Sequence, residues 1–177
     1  MSKSSSKCKL SPQSILRKNI RKFDDPILKE KCRLIDTDKD KDLVSKTIDT
    51  MRKTLCATEL GVGIAAPQIG ETLQICVLRL DPSRFSFKIM INPEIVSHSE
   101  DRVKKVEGCL SYPKVFCSVE RWKTVKVKYL NENFIMTEEE LEEYPSRVAA
   151  HEIDHTQGIC QVGDYWHLMI EPYISKK

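Results

Sequence analysis

No stretch of the 177-residue chain approaches the roughly 20 consecutive apolar residues of a membrane-spanning helix. Nor does a charged segment followed by an apolar core open it in the manner of a secretory signal. A membrane role and export by a cleaved signal are therefore not expected. Internal repeats are lacking, and so is any Cys-x-x-Cys pair. The seven cysteines, Cys8, Cys32, Cys56, Cys76, Cys109, Cys117 and Cys160, form an odd set without regular spacing, most of them among apolar neighbours. Free cysteine behaves there as a small hydrophobe, so a reducing compartment is expected and a disulfide framework is not. The formal net charge of +3 is spread over interspersed Lys, Arg, Asp and Glu, too weak a bias to imply a specific nucleic-acid partner.

Acidic residues are missing from Met1–Ser14, which is rich in Ser and Lys and has little apolar patterning. Residues 1–14 are expected to form a flexible basic arm, with organellar targeting the lesser alternative to a cytoplasmic location. Residues 15–177 are expected to fold as a single domain, and a monomer is favoured.

The chemistry-bearing stretch runs from Arg147 to Gly158 and contains His151-Glu152-Ile153-Asp154-His155. At 3.6 residues per turn, histidines four apart project from one helix face and can hold one metal ion. Glu152 stands at the edge of that face, where a carboxylate can act as general base without being a ligand. Pro145 suits the first turn of such a helix and Gly158 its end. A third ligand is harder to find downstream. Gln161 occupies the position where a metzincin carries its last histidine, and Glu171 lies on a short tail. The remaining donor must come from upstream, where cysteine is the obvious supply.

Upstream, Leu43, Val44, Thr47, Ile48, Met51 and Leu55 recur at helical spacing from Asp40 to near Thr58. The segment Gly61–Gly70 lacks the Lys-Ser/Thr ending of a phosphate loop. It reads either as a tight turn between helix and strand or as a place where a substrate backbone comes close, with Gln68 as donor. Strands are expected over Leu73–Leu80, Lys88–Asn92 stopped by Pro93, Ile95–Ser97 and Thr124–Leu130, with Phe134–Met136 as a hairpin partner. The acidic run Thr137–Glu143 reads as solvated surface. The fold class is α+β, with antiparallel β-sheets packed around a central metal-binding helix that carries HExxH.

Three segments in this order, Gly61 to Gln68, Glu107-Gly108-Cys109-Leu110-Ser111 and His151 to His155, resemble the boxes of the peptide deformylase family. The resemblance covers the chain from about Asp24 to about Asp164. It implies that Cys109 joins His151 and His155 as metal ligand, leaving a position open for water. The implied ion is Fe²⁺, with Zn²⁺, Ni²⁺ or Co²⁺ able to substitute. The implied reaction is hydrolysis of the N-formyl group from formyl-methionine at the start of nascent peptides, with ribosome proximity. Glu152 is implied as general base, and the Leu110 backbone N–H and Gln68 side chain as oxyanion donors. The substrate backbone is implied to lie along Val62, Gly63 and Ile64 as an added strand. Glu107 and Val148, with Val62 and Gly63, are expected to line the methionine pocket. Tyr112, Ala150 and Thr156 depart from the family's usual residues outside the ligand and base positions. A long C-terminal helix is not expected among the few residues after Asp164, which Pro172 interrupts. Two readings compete: an HExxH zinc endopeptidase, which makes Cys109 dispensable, and a non-catalytic metal-stapled binding domain, which makes Glu152 dispensable.

Overall fold

The structure, a computed structural model, describes residues 19–58, 61–81 and 86–164. The basic arm and the tail beyond Asp164, with the expectations placed on them, lie outside the described residues. A 3₁₀ turn, Pro26–Lys29, follows Asp25, whose side chain accepts the Ile27 N–H. Then come helix α1 (Lys41–Cys56), strand β1 (Gly63–Ala65), a second 3₁₀ turn (Ala66–Ile69) and strand β2 (Ile75–Leu78). Strands β3 (Lys88–His98), β4 (Arg102–Cys109), β5 (Tyr112–Trp122), β6 (Thr124–Leu130) and β7 (Met136–Glu142) lead into helix α2 (Glu143–Thr156). No described helix is long and apolar enough to cross a membrane.

Five strands form one antiparallel sheet in the order β1-β2-β3-β6-β7, and β4 and β5 form a separate hairpin. Side chains alternate between the faces of a strand, so β2 shows how the layers are built. Ile75 and Val77 pack with Val44, Ile48, Met51 and Leu55 of α1, whereas Cys76 and Leu78 pack with Val148, Ala149 and Ile153 of α2. This explains why Ile75–Leu78 is apolar at every position: the strand is covered on both sides. In α1 the expected apolar stripe is buried except for Leu43, which stands at its solvent border. Strand β6 keeps its alternation, with Val125, Val127 and Tyr129 inward.

Two expectations need correction. Pro93 does not stop its strand. β3 continues to His98 through a break in register between Ile91 and Glu94. Asn92 there takes a positive φ of 51°, which asparagine tolerates better than most residues. Its side-chain amide bonds both the N–H and the C=O of Ile35, at 2.8 and 3.0 Å. The proline, lacking an N–H, thus falls where the ladder is already broken. The acidic run is likewise a strand. Within β7, Glu138 and Glu140 lie opposite Lys128 and Lys126 of β6. Lys88 reaches Glu139, which also accepts the Tyr129 hydroxyl at 2.6 Å. Opposite charges across a ladder make an edge strand from residues that look merely soluble.

Candidate metal centre

Helix α2 begins directly after β7, with Pro145 in its first turn, where the missing N–H has no helical partner. It ends before Gly158, whose φ of +74° is left-handed. A β-carbon there would meet the Lys29 carbonyl oxygen at 2.5 Å, so the chain turns on a glycine pressed against the N-terminal segment. Between these ends, Val148, Ala149 and Ile153 anchor the helix on the five-stranded sheet. His151 and His155 turn toward the β4–β5 hairpin, with ring centroids 5.1 Å apart. Cys109, the last residue of β4, brings its Sγ to 3.2 Å from His155 Nε2. Donor atoms of Cys109, His151 and His155 lie within 4.8 Å of one another, the one such cluster of three or more among the described residues.

Their surroundings suit a metal. His151 Nδ1 lies 2.9 Å from Glu107 Oε2, which fixes the proton on Nδ1 and frees Nε2 as a donor atom. Burial alone would raise the Glu107 carboxyl, but hydrogen bonds from His151 and Arg121 outweigh it and hold the group at about 2. Arg121 is bidentate to this carboxylate at 2.7 and 3.0 Å and reaches Asp154 Oδ2 at 2.8 Å. Arg147 also donates to Glu107 and caps the Val119 carbonyl at 3.1 Å. Two guanidinium groups therefore balance two carboxylates in a buried, hydrogen-bonded network that ends on His151. His155 is fully buried, which lowers its pKa well below the usual value and keeps the imidazole neutral. One thiol and two imidazoles, with their free nitrogens converging on the sulfur, are the donor set of a soft or borderline divalent ion.

Glu152 sits beside this cluster, and burial pushes its carboxyl up to about 7. Its Oε2 has no hydrogen-bond partner, and the other oxygen is wedged against Gly63, where a β-carbon would come within 2.4 Å. Gln68 takes the Ala65 N–H on its Oε1 at 2.8 Å and directs Nε2 to Ser111 Oγ at 3.1 Å and to Cys109 Sγ at 3.6 Å. The three segments singled out in the sequence thus meet at one place.

A cleft of about 320 Å³ opens over it, lined by Val62, Gly63, Gln68, Leu110, Val148 and Glu152 among others. Glu107 also borders the cleft, but its carboxylate is engaged by the arginines and His151. Ile64 does not line the cleft; it is fully buried in the core shared with α1. Sequence reasoning missed Arg121, Arg147 and Lys22, whose Nζ donates to the Leu110 carbonyl at 2.9 Å. Arg147 had a legible signal, standing four residues before His151 on the same face. For Arg121 and Lys22 there was none, because only the folded chain brings them near the site.

Against protein-family models, residues 17–165 match the one described as polypeptide deformylase. A peptide deformylase of Pseudothermotoga lettingae is 42% identical over 142 residues, 80% of this chain and 79% of that protein. The crystal structure of peptide deformylase from Thermotoga maritima superposes with a TM-score of 0.74 at 38% identity, covering 80% of this chain and 92% of the other. A class I type b peptide deformylase from Acinetobacter baumannii, crystallised with Met-Ala-Ser bound, gives 0.74 at 32% identity, over 81% and 94%. A match running through all three segments that build the cluster leaves one assignment, and the chain belongs to the peptide deformylase family.

Proposed function

We propose that Cys109, His151 and His155 hold one divalent ion, Fe²⁺ in the cell, and that Glu152, Gln68 and Leu110 carry out deformylation around it. The protein is a hydrolase that removes the N-formyl group from nascent peptides. The carrying observation is the buried carboxyl of Glu152, one oxygen unpartnered, beside a convergent sulfur and two imidazoles. When bound, the ion supplies Lewis acidity to a water and to the formyl carbonyl. Glu152 accepts the proton of the attacking water on its unpartnered oxygen and returns it to the departing amine; a carboxyl near 7 can do both at neutral pH. The Leu110 N–H and Gln68 Nε2 stabilise the developing oxyanion. Lys22 holds the Leu110 peptide from its carbonyl side, and Glu107 keeps His151 in the ligating tautomer.

The substrate main chain adds to the outer edge of β1 along Val62, Gly63 and Ile64, as Ile64 contributes backbone only. β1 is the edge strand of its sheet, and main-chain pairing tolerates many sequences. Val62, Gly63, Glu107 and Val148 border the pocket for the first side chain, and the complex of the Acinetobacter baumannii relative with Met-Ala-Ser supports methionine there. Such an enzyme works as a cytoplasmic monomer near the ribosome. Zn²⁺, Ni²⁺ and Co²⁺ fit the same donors. Incubation of anaerobically purified protein with formyl-Met-Ala-Ser is expected to release formate stoichiometrically. Cleavage of internal peptide bonds without formate would overturn the reading in favour of an endopeptidase.

A further inference from the structure

The two oxyanion donors belong to different parts of the fold, and neither sits within a strand ladder. Gln68 lies in the 3₁₀ turn Ala66–Ile69, whereas Leu110 and Ser111 make the turn between the paired Cys109 and Tyr112. One stretch of chain, distant from both in sequence, bonds to both. The Arg21 N–H donates to the Gln68 carbonyl at 2.8 Å, and Nζ of the next residue, Lys22, donates to the Leu110 carbonyl at 2.9 Å. This stretch is anchored on either side of Lys22. Ile20 is buried, and the Arg21 guanidinium lies over Gly70, where a β-carbon would meet Nη2 at 2.7 Å. On the other side, Phe23 sets its ring 6.4 Å from that of the buried Tyr112, and the Asp25 N–H donates to the Lys22 carbonyl at 2.8 Å. Lys22 is half-buried and does not line the substrate cleft; it borders a separate cavity of about 430 Å³ with Asp24, Asp25 and Thr50 among others. Its ammonium therefore reaches the reaction through Leu110 and not through the substrate.

We propose that residues 20–23 are a strap that sets the spacing of the two oxyanion donors, with Lys22 as a positioning residue for both. A hydrogen bond from a charged donor is the stronger kind, and partial burial shields this one from exchange with water. It holds the peptide between Leu110 and Ser111. Ser111 in turn carries the hydroxyl to which Gln68 Nε2 donates at 3.1 Å, and Arg21 holds the Gln68 backbone from its carbonyl. Loss of the ammonium releases the Leu110–Ser111 peptide to rotate, which turns the Leu110 N–H and withdraws the partner of Gln68 together. Oxyanion donors act in the transition state far more than in the ground state, so the loss falls on kcat and not on KM.

This inference rests on Gln68 and Leu110 being the oxyanion donors of the proposed reaction. Formate release from formyl-Met-Ala-Ser by nickel-loaded wild type tests that reaction by itself, whereas the strap is read only from the differences among Lys22 variants. Full-length Lys22→Met, Lys22→Gln and Lys22→Arg are loaded with nickel and checked for fold by circular dichroism. Lys22→Met is expected to lose about ten- to a hundredfold in kcat, with KM and the inhibition constant of the product Met-Ala-Ser within about threefold of wild type and the nickel content unchanged. Lys22→Arg keeps a charged donor and should restore kcat to within about threefold of wild type, while Lys22→Gln, a neutral donor, should fall between. If Lys22→Met does not fold, the ordering of Lys22→Arg above Lys22→Gln carries the test. Unchanged kcat, a loss confined to KM, or Lys22→Arg as slow as the neutral variants would overturn the proposal. Loss of nickel from the neutral variants would overturn it too, by assigning the ammonium to the Cys109 thiolate.

Discussion

A carboxyl in this site owes its reactivity to what surrounds it. Glu152 lies against Gly63 and beside His151, where burial raises its carboxyl from 4.5 to about 7. Glu152→Gln is expected to keep the metal, measured by elemental analysis, and to lose turnover by at least about a hundredfold. Gly63→Ala should lower kcat without unfolding the protein, because the new methyl group would force the Glu152 carboxylate aside; unchanged kcat would mean that turnover does not depend on where Gly63 lets this carboxylate sit. Replacing Gln68 by Ala should depress kcat more than it raises KM, as befits a donor acting in the transition state. Those residues were legible in the sequence because the chemistry dictates their type and spacing: two histidines a helical turn apart, and a glutamate beside the first. What holds them was not. Glu107 was expected as pocket lining; it does border the cleft, but its carboxylate is also engaged by two arginines and His151, a role that depends on a β-hairpin whose partner strands are set by register.

At the level of elements, sequence and fold agree where one periodicity dominates. The stripe of α1 and the alternation of β6 each reflect a single buried face. The failures came where a partner decides. Neither Pro93 nor the glutamates of β7 favour a strand in isolation, but a bulge accommodates the first and the lysines opposite stabilise the second. The start of α1 offers a test at this scale. Asp40 precedes the helix and accepts both Arg33 guanidinium nitrogens, at 2.7 and 3.0 Å, and the Asp36 N–H at 2.9 Å. The Arg33 hydrogen bonds, with help from that N–H, lower the Asp40 carboxyl from 3.8 to about 2. A folded-state value below the unfolded one stabilises the protein at pH above 3.8, and the contribution disappears as the pH falls toward 2. Asp40→Asn should therefore unfold at lower urea than wild type at neutral pH, with the gap closing on acidification. A gap independent of pH would assign the effect to packing. Deeper in the same element, Met51→Ala should cost about 2–5 kcal/mol, read from urea unfolding, since Met51 is fully enclosed between α1 and β2.

Seen whole, the molecule builds its reaction centre across a seam. Gly63 and Gln68 belong with the five-stranded sheet and its edge, the histidines with α2, and Cys109 with the separate β4–β5 hairpin. A thiolate ligand favours zinc over ferrous iron at equilibrium, so protein purified in air should carry mostly zinc. Anaerobic Fe²⁺ protein should deformylate faster than the zinc form, and Ni²⁺ or Co²⁺ should give an active enzyme that survives air. Equal turnover of the iron and zinc forms would set this member apart from its family. The seam also has a consequence for motion. The β4–β5 ladder is tied to the rest of the protein by the Glu107–Arg121–Arg147 network, among other contacts, and the proposed ion would add a further tie between Cys109 and the two histidines. When that ion is removed, the amide hydrogens of β4 and β5 should exchange with deuterium markedly faster, while those of β2 and β3, enclosed between the helices, keep their protection. The metal would then be a hinge pin as well as a reagent, setting how often one sheet lifts away from the other.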